Sequence, residues 1–220
     1  MERAGQTKHR PTGALRRSLR GPARAYVVAG APATGKSVLG AQLSRRIGAA
    51  LLDQDVLTGP LTAVVADLVG AAPGDLDDPR VRSATRRATY DALIDTAAAC
   101  LAVGVPVVLV APFTTERSEA AAWAGLVERL GAPGGVVLVW TTCPPDELAR
   151  RLAARGAPRD RRKLADLDGF LNSGVFSPPV VPHVAVDTTI PIAGQITAVL
   201  NGTADGRVTG TIDIDVTSSS

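Results

Sequence analysis

The residues best suited to chemistry in this chain form one short glycine-rich segment. Residues 30–37 read Gly-Ala-Pro-Ala-Thr-Gly-Lys-Ser and fit the pattern G-x-x-x-x-G-K-[ST]. Gly30 and Gly35 allow a tight backbone curl, which points successive N–H groups at phosphate oxygens. Lys36 supplies a point charge for the β- and γ-phosphates, and Ser37 supplies a hydroxyl ligand for Mg²⁺. The segment therefore predicts a binding loop for a nucleoside triphosphate.

The neighbours of this loop supply the setting that it needs. Residues 26–29 are apolar and β-prone, and after the loop Leu39, Leu43 and Ile47 recur at four-residue spacing before Gly48. This order predicts a strand, the loop and then a helix whose positive dipole end faces the bound anion. We therefore expect nucleotide contacts along the whole segment: Gly30, Ala31, Pro32, Ala33, Thr34, Gly35, Lys36, Ser37 and Val38.

A pair of carboxylates follows the second predicted strand. The segment Leu51-Leu52-Asp53-Gln54-Asp55 ends at the edge where open parallel sheets place ligands. In an extended segment, alternation puts Asp53 and Asp55 on one side. We expect Asp53 to help hold Mg²⁺ and Asp55 to deprotonate or orient an attacking hydroxyl group. The alternative is a purely structural role, with Asp55 capping the helix that follows.

The next two predicted strands do not end in an acid. Residues 107–114 read Val-Val-Leu-Val-Ala-Pro-Phe-Thr, and residues 136–142 end in Trp-Thr-Thr. A typical P-loop ATPase has a metal-binding acid at one of these places, and the guanine-reading motif N-K-x-D is also absent. The pattern favours a small-molecule kinase over a motor or a GTPase, and the metal ligand then has to come from the acids after the second strand.

A basic cluster lies later in the chain. Residues 150–163 contain seven cations and a single acid, Asp160. Arg151 and Arg155 are four residues apart and therefore share one helical face. Because the cluster continues past Gly156 into a predicted loop, we expect an Arg-rich lid that neutralises the transferred phosphoryl group and excludes water. Arg151 and Arg155 are the candidate catalytic arginines, and a solvated helix end is the alternative.

Two further groups of polar residues are candidates for contact with an acceptor. Thr114 and Arg117 follow the third predicted strand, at the edge that faces ligands. Four arginines surround the start of a long predicted helix: Arg80, Arg82, Arg86 and Arg87. For both groups, capping and solvation remain the alternative.

Apolar runs alternate with helix-period stretches along most of the chain. The predicted strands are 26–29, 50–52, 105–111, 136–141 and 183–187. Besides the helix that follows the glycine-rich loop, helices are predicted at 56–70, 81–103, 144–155 and 191–200, and a loop is predicted at 174–182. Several strands are continuous apolar runs, as expected of strands that are buried on both faces. The alternation predicts an α/β fold with a parallel sheet between helical layers.

Composition narrows the classes of protein to which the chain can belong. It has 220 residues and a formal net charge of +3, but residues 1–25 hold seven cations and one acid. The rest of the chain is therefore acidic, so we expect nucleic acid to bind only through the basic leader. Aromatic residues make up 3%, too few for base-stacking platforms. No apolar run approaches the roughly 18 residues that span a membrane, and we expect a cytoplasmic protein.

Several of these features together resemble a known group, the AAA-type P-loop kinase-like ATP-binding proteins. That group is related to zeta toxins, chloramphenicol phosphotransferase, gluconate kinase and polynucleotide kinase. The resemblance covers residues 25–200 and rests on residues 30–37, Asp53, Asp55, Ala111-Pro112-Phe113, Arg151, Arg155 and Arg159-Asp160.

The resemblance implies a fold and roles for individual residues. The fold is a P-loop NTPase three-layer sandwich with a parallel five-stranded sheet, the P-loop strand at its centre, and an Arg-rich lid. Lys36 and Ser37 correspond to ligands of the phosphates and Mg²⁺, and Asp55 to the aspartate that activates the acceptor. Thr188 falls in a segment that lies near adenine in related kinases. The implied cofactors are ATP and Mg²⁺.

These observations lead to one domain scheme and one leading function. We expect a disordered basic leader over 1–24, a P-loop kinase-like domain over 25–200, and a tail or edge strand over 201–220. The leading hypothesis is an ATP- and Mg²⁺-dependent kinase that acts on a hydroxyl group of a small molecule. Two alternatives stay open, namely an ATP-binding regulatory protein that transfers nothing and a kinase for nucleic-acid ends.

Overall fold

A computed structural model describes residues 21–76, 78–157 and 160–204 of the chain. Its centre is one sheet of five strands, all parallel, in the order β2-β3-β1-β4-β5. The strands are β1 (Ala25–Gly30), β2 (Ala50–Asp53), β3 (Val107–Val110), β4 (Val136–Thr142) and β5 (Val184–Asp187). All five predicted strands are therefore confirmed, and the strand before the glycine-rich loop is the central one.

Helices connect the strands and cover the sheet. In chain order they are α1 (Lys36–Ile47), α2 (Gln54–Leu68), α3 (Pro79–Ala102), α4 (Thr114–Ser118), α5 (Ala120–Leu130), α6 (Pro145–Arg155), α7 (Arg161–Ala165), α8 (Leu167–Leu171) and α9 (Ile192–Ala204). The predicted helices are all present, with ends shifted by a few residues. The sequence pattern did not separate α4 and α5, which follow β3, or the two short helices after α6.

The sheet is buried on both faces, as its apolar strands predict. Val27 of β1 packs into a core with Leu93 of α3 and Leu126 of α5. Its neighbour Val28 points the other way, into a core with Leu39 of α1 and Val199 of α9. Successive side chains of a strand face opposite sides, so one strand serves both cores. The three-layer α/β arrangement of a P-loop NTPase is thus confirmed.

The first helix lies unusually close to the sheet, which fixes the position of the loop before it. A Cβ atom placed on Gly40 would lie 2.5 Å from the Cγ2 atom of Val110, so no larger residue fits there without movement. The helix ends at Gly48, whose φ of 65° is the left-handed conformation that glycine adopts readily. The close approach at Gly40 places the first half of α1 against Val110, the last residue of β3.

The strand order creates the crevice that a ligand needs. From β1 the chain crosses to one side of the sheet for β2 and β3, and to the other side for β4 and β5. Loops that leave adjacent strands in opposite directions separate at the carboxyl ends, and ligands of open α/β sheets bind there. The loop at residues 30–37 begins at this point.

The structure describes only part of the predicted terminal segments. The predicted leader lies largely outside the described residues, and so does the alternating segment from Val208 to Val216. Residues 201–204, which we assigned to a tail or edge strand, continue helix α9. In the described part of the chain, no helix combines the length and apolar character required to cross a membrane.

Candidate functional site

The glycine-rich loop joins β1 to α1 through three residues with positive φ. Gly30 has φ 150°, Ala33 has φ 63° and Gly35 has φ 88°. We call Gly30–Ser37 the phosphate loop. Side chains other than glycine rarely adopt such backbone angles, and Ala33 does so at an energetic cost. Strain of this kind clusters at ligand-binding sites, where the surrounding structure maintains it.

Hydrogen bonds of two threonine residues, Thr34 and Thr141, hold the base of the phosphate loop. The Thr34 hydroxyl lies 2.7 Å from the Thr141 hydroxyl at the end of β4, and it donates to the carbonyl oxygen of Ala31 at 2.8 Å. A Cβ atom on Gly30 would lie 2.3 Å from the Thr141 hydroxyl oxygen. Gly30 is therefore required by close packing as well as by its backbone angle. Thr141 was missed by the sequence pattern because a strand-end threonine has no distinctive spacing.

The lysine of the loop bonds to the loop itself. Lys36 Nζ donates to the carbonyl oxygen of Ala31 at 2.7 Å. A charged ammonium on a neutral carbonyl is a weaker pair than the same ammonium on a phosphate oxygen. The contact holds the side chain across the mouth of the loop, where a phosphate can take over the hydrogen bond.

A cavity of about 450 Å³ opens beside the loop. It is within the range of small-molecule sites, which enclose about 300–1,000 Å³. Most predicted site residues line it: Pro32, Ala33, Gly35, Lys36, Ser37, Val38, Asp53, Asp55, Arg151, Arg155 and Thr188. We call it the nucleotide cavity. Three predicted contacts, Gly30, Ala31 and Thr34, do not line it because they form the base of the loop.

The two acids reach the cavity by a different route from the predicted one. We expected Asp53 and Asp55 to share one side of an extended segment, but helix α2 begins at Gln54. Asp53 is the helix cap, and its Oδ1 accepts a hydrogen bond from the backbone N–H of Asp55 at 3.0 Å. We had considered Asp55 as the cap of this helix, but the cap is Asp53. Asp55, in the first helical turn, lines the cavity with Asp53 beside it.

The residues present suit a magnesium ion. Ser37 and Asp53 line the nucleotide cavity together, and Asp53 is only 9% exposed. Hydroxyl and carboxylate oxygens suit Mg²⁺, which proteins bind through one or two carboxylates together with substrate phosphates. Within the described ranges, no group of three or more His, Cys, Asp or Glu side chains is arranged so that it could hold a metal ion. An ion at Ser37 and Asp53 would therefore take its remaining ligands from phosphate oxygens and water.

Arg151 connects helix α6 to the segment after β5. Its Nε donates to Glu147 at 2.6 Å, and its terminal nitrogens donate to the hydroxyl and the carbonyl of Thr188 at 2.9 and 3.0 Å. The hydrogen bonds from Arg150 and Arg151 lower the pKa of Glu147 to about 2. The guanidinium therefore holds Thr188 against Gly35, whose added Cβ would lie 3.3 Å from the Thr188 Cβ.

Arg155 binds a buried carboxylate. Its Nε and a terminal nitrogen donate to the two oxygens of Asp160, at 2.7 and 2.6 Å. Lys163 Nζ adds a contact to the same carboxylate at 3.5 Å, and Asp160 is fully buried. This fork-to-fork pair attaches α7 to α6. Among the described cations of the predicted lid, Arg155 makes the closest contact with Asp160, while Arg159 lies outside the described residues.

A second cavity of about 630 Å³ adjoins the first, and we call it the acceptor cavity after the role that we propose for it below. Residues from α2, α3, α4 and the segment after α6 line it. Five residues line both cavities: Pro32, Gln54, Asp55, Pro112 and Lys163. Among them, Asp55 is the carboxylate and Lys163 is the cation. Sequence analysis counted Lys163 only as a member of the basic cluster, because nothing local distinguishes it from the arginines around it.

The segment after β3 forms one wall of the acceptor cavity. Phe113 has φ 43° and no exposed surface, and its backbone N–H donates to the Tyr90 hydroxyl at 3.0 Å. The two rings meet edge to face, with centroids 5.6 Å apart. Burial and the nearby Glu116 carboxylate raise the pKa of Tyr90 to about 12, so its phenol is neutral at pH 7.

Family and structural comparisons are consistent with this arrangement. Residues 26–173 match the family model AAA_33, described as an AAA domain. No curated protein matches the sequence significantly. Among solved structures, the chain is similar to a gluconokinase from Sinorhizobium meliloti, with 25% identity and a TM-score of 0.52. That match covers 84% of this chain and 93% of the gluconokinase.

Two other solved structures share the fold. A sugar kinase from Janibacter sp. has 17% identity and a TM-score of 0.57, over 87% of this chain and all of that one. The APS kinase CysC from Mycobacterium tuberculosis, in complex with AMPPNP and APS, has 19% identity and a TM-score of 0.51, over 83% and 98%. Since the family model spans well over half of the sequence, the chain belongs to the AAA_33 family of P-loop kinase-like proteins.

Proposed function

We propose that the protein transfers the γ-phosphoryl group of ATP to a hydroxyl group of a small molecule, with Mg²⁺ as cofactor. One observation carries the proposal. The nucleotide cavity and the acceptor cavity meet at a carboxylate, Asp55, and a cation, Lys163. A kinase needs a base on the acceptor side and positive charge where the phosphoryl group passes. A protein that only bound ATP would not need the second cavity.

Each residue of the junction has a role in this proposal. Asp55 takes the proton of the acceptor hydroxyl group while the oxygen of that hydroxyl bonds to the γ-phosphorus of ATP. At the same time, the bond between the γ-phosphorus and the bridging oxygen breaks, and ADP leaves with that oxygen. Lys36 exchanges its bond to Ala31 for the β- and γ-phosphates, and Lys163 faces the charge that develops on the transferred group. Ser37 and Asp53 would hold Mg²⁺, which would supply positive charge to neutralise the phosphates.

The lid arginines act mainly through position. Arg151 keeps Thr188 beside Gly35 at the wall of the nucleotide cavity, and Arg155 holds α7 through Asp160. In this way α7 brings Lys163 to the boundary between the two cavities. A lid fixed in this manner excludes water, which would otherwise compete with the acceptor hydroxyl for the phosphoryl group.

The test is a transfer assay with an internal control. The protein is incubated with Mg-ATP and a library of hydroxyl compounds, and mass spectrometry detects products that gain one phosphoryl group. We expect Asp55→Asn to lower transfer by about 10²-fold or more, the effect of a general base. Asp67→Asn, at the exposed far end of the same helix, should leave transfer unchanged. Nucleotide binding without transfer to any acceptor would favour the regulatory alternative.

A further inference from the structure

The acceptor cavity has a strongly uneven charge. Among the described residues that line it, Asp55 is the single carboxylate. The same wall carries five cations: Arg82, Arg86, Arg117, Arg162 and Lys163. Clefts lined by charge of one sign concentrate ligands of the opposite sign. Neighbouring carboxylates neutralise part of this excess positive charge.

Two of these cations are paired with carboxylates outside the cavity lining. Arg162 forms a salt bridge with Asp75 at 3.3 Å, and Lys163 contacts the buried Asp160 at 3.5 Å. Asp160 is shared with Arg155, which binds it more closely. The positive charge of these two side chains is therefore partly compensated.

The arginines of helix α3 are not compensated in this way. Arg86 donates to the Thr114 hydroxyl at 3.4 Å and lies 5.6 Å from the centre of the Tyr90 ring, both neutral groups. Arg82 is exposed and forms no salt bridge within the part of the chain that the structure describes. The two residues are four apart, so they lie on one face of α3, next to each other.

Arg117 adds a buried positive charge to the same cavity. It is 2% exposed, and its terminal nitrogens donate to the backbone carbonyls of Ser177 and Val175, the latter at 2.7 Å. Its Nε is buried and has no hydrogen-bond partner among the described residues. Burial lowers the pKa of Arg117, because a buried charge facing only neutral carbonyls is poorly solvated. An anion in the cavity would relieve this cost.

We propose that the acceptor carries a negatively charged group, a carboxylate or a phosphate, which Arg82 and Arg86 bind in the field of Arg117. The hydroxyl group of the same molecule then faces Asp55 at the junction with the nucleotide cavity. This inference rests on the proposed kinase function and specifies its substrate class. The cavity volume of about 630 Å³ suits a small hydroxy acid or sugar phosphate.

A paired acceptor screen tests the substrate class. One panel contains hydroxy acids and sugar phosphates, and the other contains their neutral amides and unphosphorylated sugars. We expect transfer to members of the charged panel, with Arg86→Ala and Arg82→Ala each raising the acceptor KM about tenfold or more, as for loss of a charge-assisted hydrogen bond. Transfer to neutral compounds alone would overturn the inference while leaving the kinase function intact.

Arg87 provides the matched control. It lies on the same helix beside Arg86, but its side chain is 96% exposed, pairs with Asp91 and does not line the cavity. Arg87→Ala should leave the acceptor KM unchanged. An equal rise in KM for Arg87→Ala and Arg86→Ala would contradict a specific anion site.

A binding measurement separates this inference from the catalytic proposal. With the nucleotide cavity filled by AMPPNP and Mg²⁺, calorimetry is used to measure binding of inorganic phosphate. We expect binding to the parent protein and to Arg87→Ala, and at least a tenfold loss of affinity in Arg86→Ala. Binding of this kind without transfer to either panel would keep the anion site and reject the kinase function. Absence of phosphate binding, or equal binding by Arg86→Ala, would reject the anion site.

Discussion

Three side chains that line the nucleotide cavity are held by neighbouring residues. Lys36 bonds to Ala31, Asp53 to the N–H of Asp55, and Lys163 to Asp160. Each contact fixes a group close to where the proposed phosphoryl transfer needs it and limits the motion that substrate binding would have to remove. For Lys36, the exchange of a neutral carbonyl for a charged phosphate also favours binding.

Lys163 allows a direct test at this scale. We expect Lys163→Ala to lower the rate of phosphoryl transfer by about 10- to 100-fold, since it removes one charge from the path of the transferred group. The affinity for ATP should change much less than the rate. Arg161→Ala is the control, because Arg161 is an exposed cation of the same short helix and lines neither cavity.

Steady-state kinetics on the purified variants provides the measurement. A fall in ATP affinity as large as the fall in rate would mean that Lys163 holds the nucleotide rather than the transition state. Lys163→Arg keeps a positive charge near Asp160 but changes the shape and reach of the side chain. Comparing its transfer rate and ATP affinity with those of Lys163→Ala separates the effect of the charge from that of its position.

At the scale of whole elements, helices α1 and α6 fix the site. Helix α6 is attached to the segment after β5 by Arg151 and to α7 by Arg155. Helix α1 rests directly on the sheet at Gly40. The surroundings of the phosphate loop therefore depend on the contact of α1 with the sheet at Gly40 and on the hydrogen bonds of Arg151 and Arg155 in α6.

The carboxylate of Glu147 predicts a pH dependence of stability. Its pKa is lowered from 4.5 to about 2 by Arg150 and Arg151, so the ion pair stabilises the folded state above pH 4.5. That stabilisation is lost as the pH falls from 4.5 through about 2. Glu147→Gln should lower the melting temperature at pH 7 by a small amount, because the pair is solvent-screened.

Thermal unfolding of the parent protein and Glu147→Gln between pH 7 and pH 2 checks this. The difference in melting temperature should shrink toward zero at the acid end. Glu128→Gln serves as control, since Glu128 is exposed on α5 and forms no salt bridge within the described ranges. A difference that does not vary with pH would rule out the ion pair as the cause.

The contact of α1 with the sheet predicts opposite effects for two glycines. Gly40→Ala should destabilise the protein by about 1–3 kcal/mol, since the new methyl group overlaps the stiff, buried Val110. Gly125→Ala in α5 meets no atom within 4 Å and should stabilise it by about 0.5–1 kcal/mol. Urea unfolding gives both values, and a similar loss in the two variants would contradict the packing argument.

At the scale of the molecule, nucleotide binding should be coupled to the stability of the entire domain. The phosphate loop joins the central strand to a helix of the core, so a ligand there binds only the folded chain. Mg-ATP at about 100 times its Kd should add roughly 2.7 kcal/mol to the free energy of unfolding. Calorimetric melting with and without Mg-ATP measures this effect.

Lys36→Ala tests whether the stabilisation comes from the phosphate loop. The variant should melt near the temperature of the parent protein without nucleotide but lose most of the shift with Mg-ATP. Lys36→Arg should also lose much of it, because Arg does not replace the point charge of Lys at this position. A full shift in Lys36→Ala would place nucleotide binding elsewhere.

The phosphate loop, the five strands and the α/β class could be predicted from the amino-acid sequence, because they follow from local spacing and from apolar runs. The sequence also indicated Asp53 and Asp55, although the prediction assumed extended backbone where α2 begins. Element boundaries shift in this way because a cap such as Asp53 suits either a strand end or a helix start.

The assignment of individual cations to the two cavities required the folded structure. Arg117 and Arg86 belonged to two groups of acceptor candidates in the sequence, whereas Lys163 was only one of several cations in the basic cluster. The three residues come from segments far apart in sequence, and the sequence pattern does not bring them together in one cavity. Their grouping depends on the order in which the strands cross the sheet and on the buried Asp160 that orients α7. Electrostatic interactions depend on distance in space, which a linear sequence leaves open until the chain is folded.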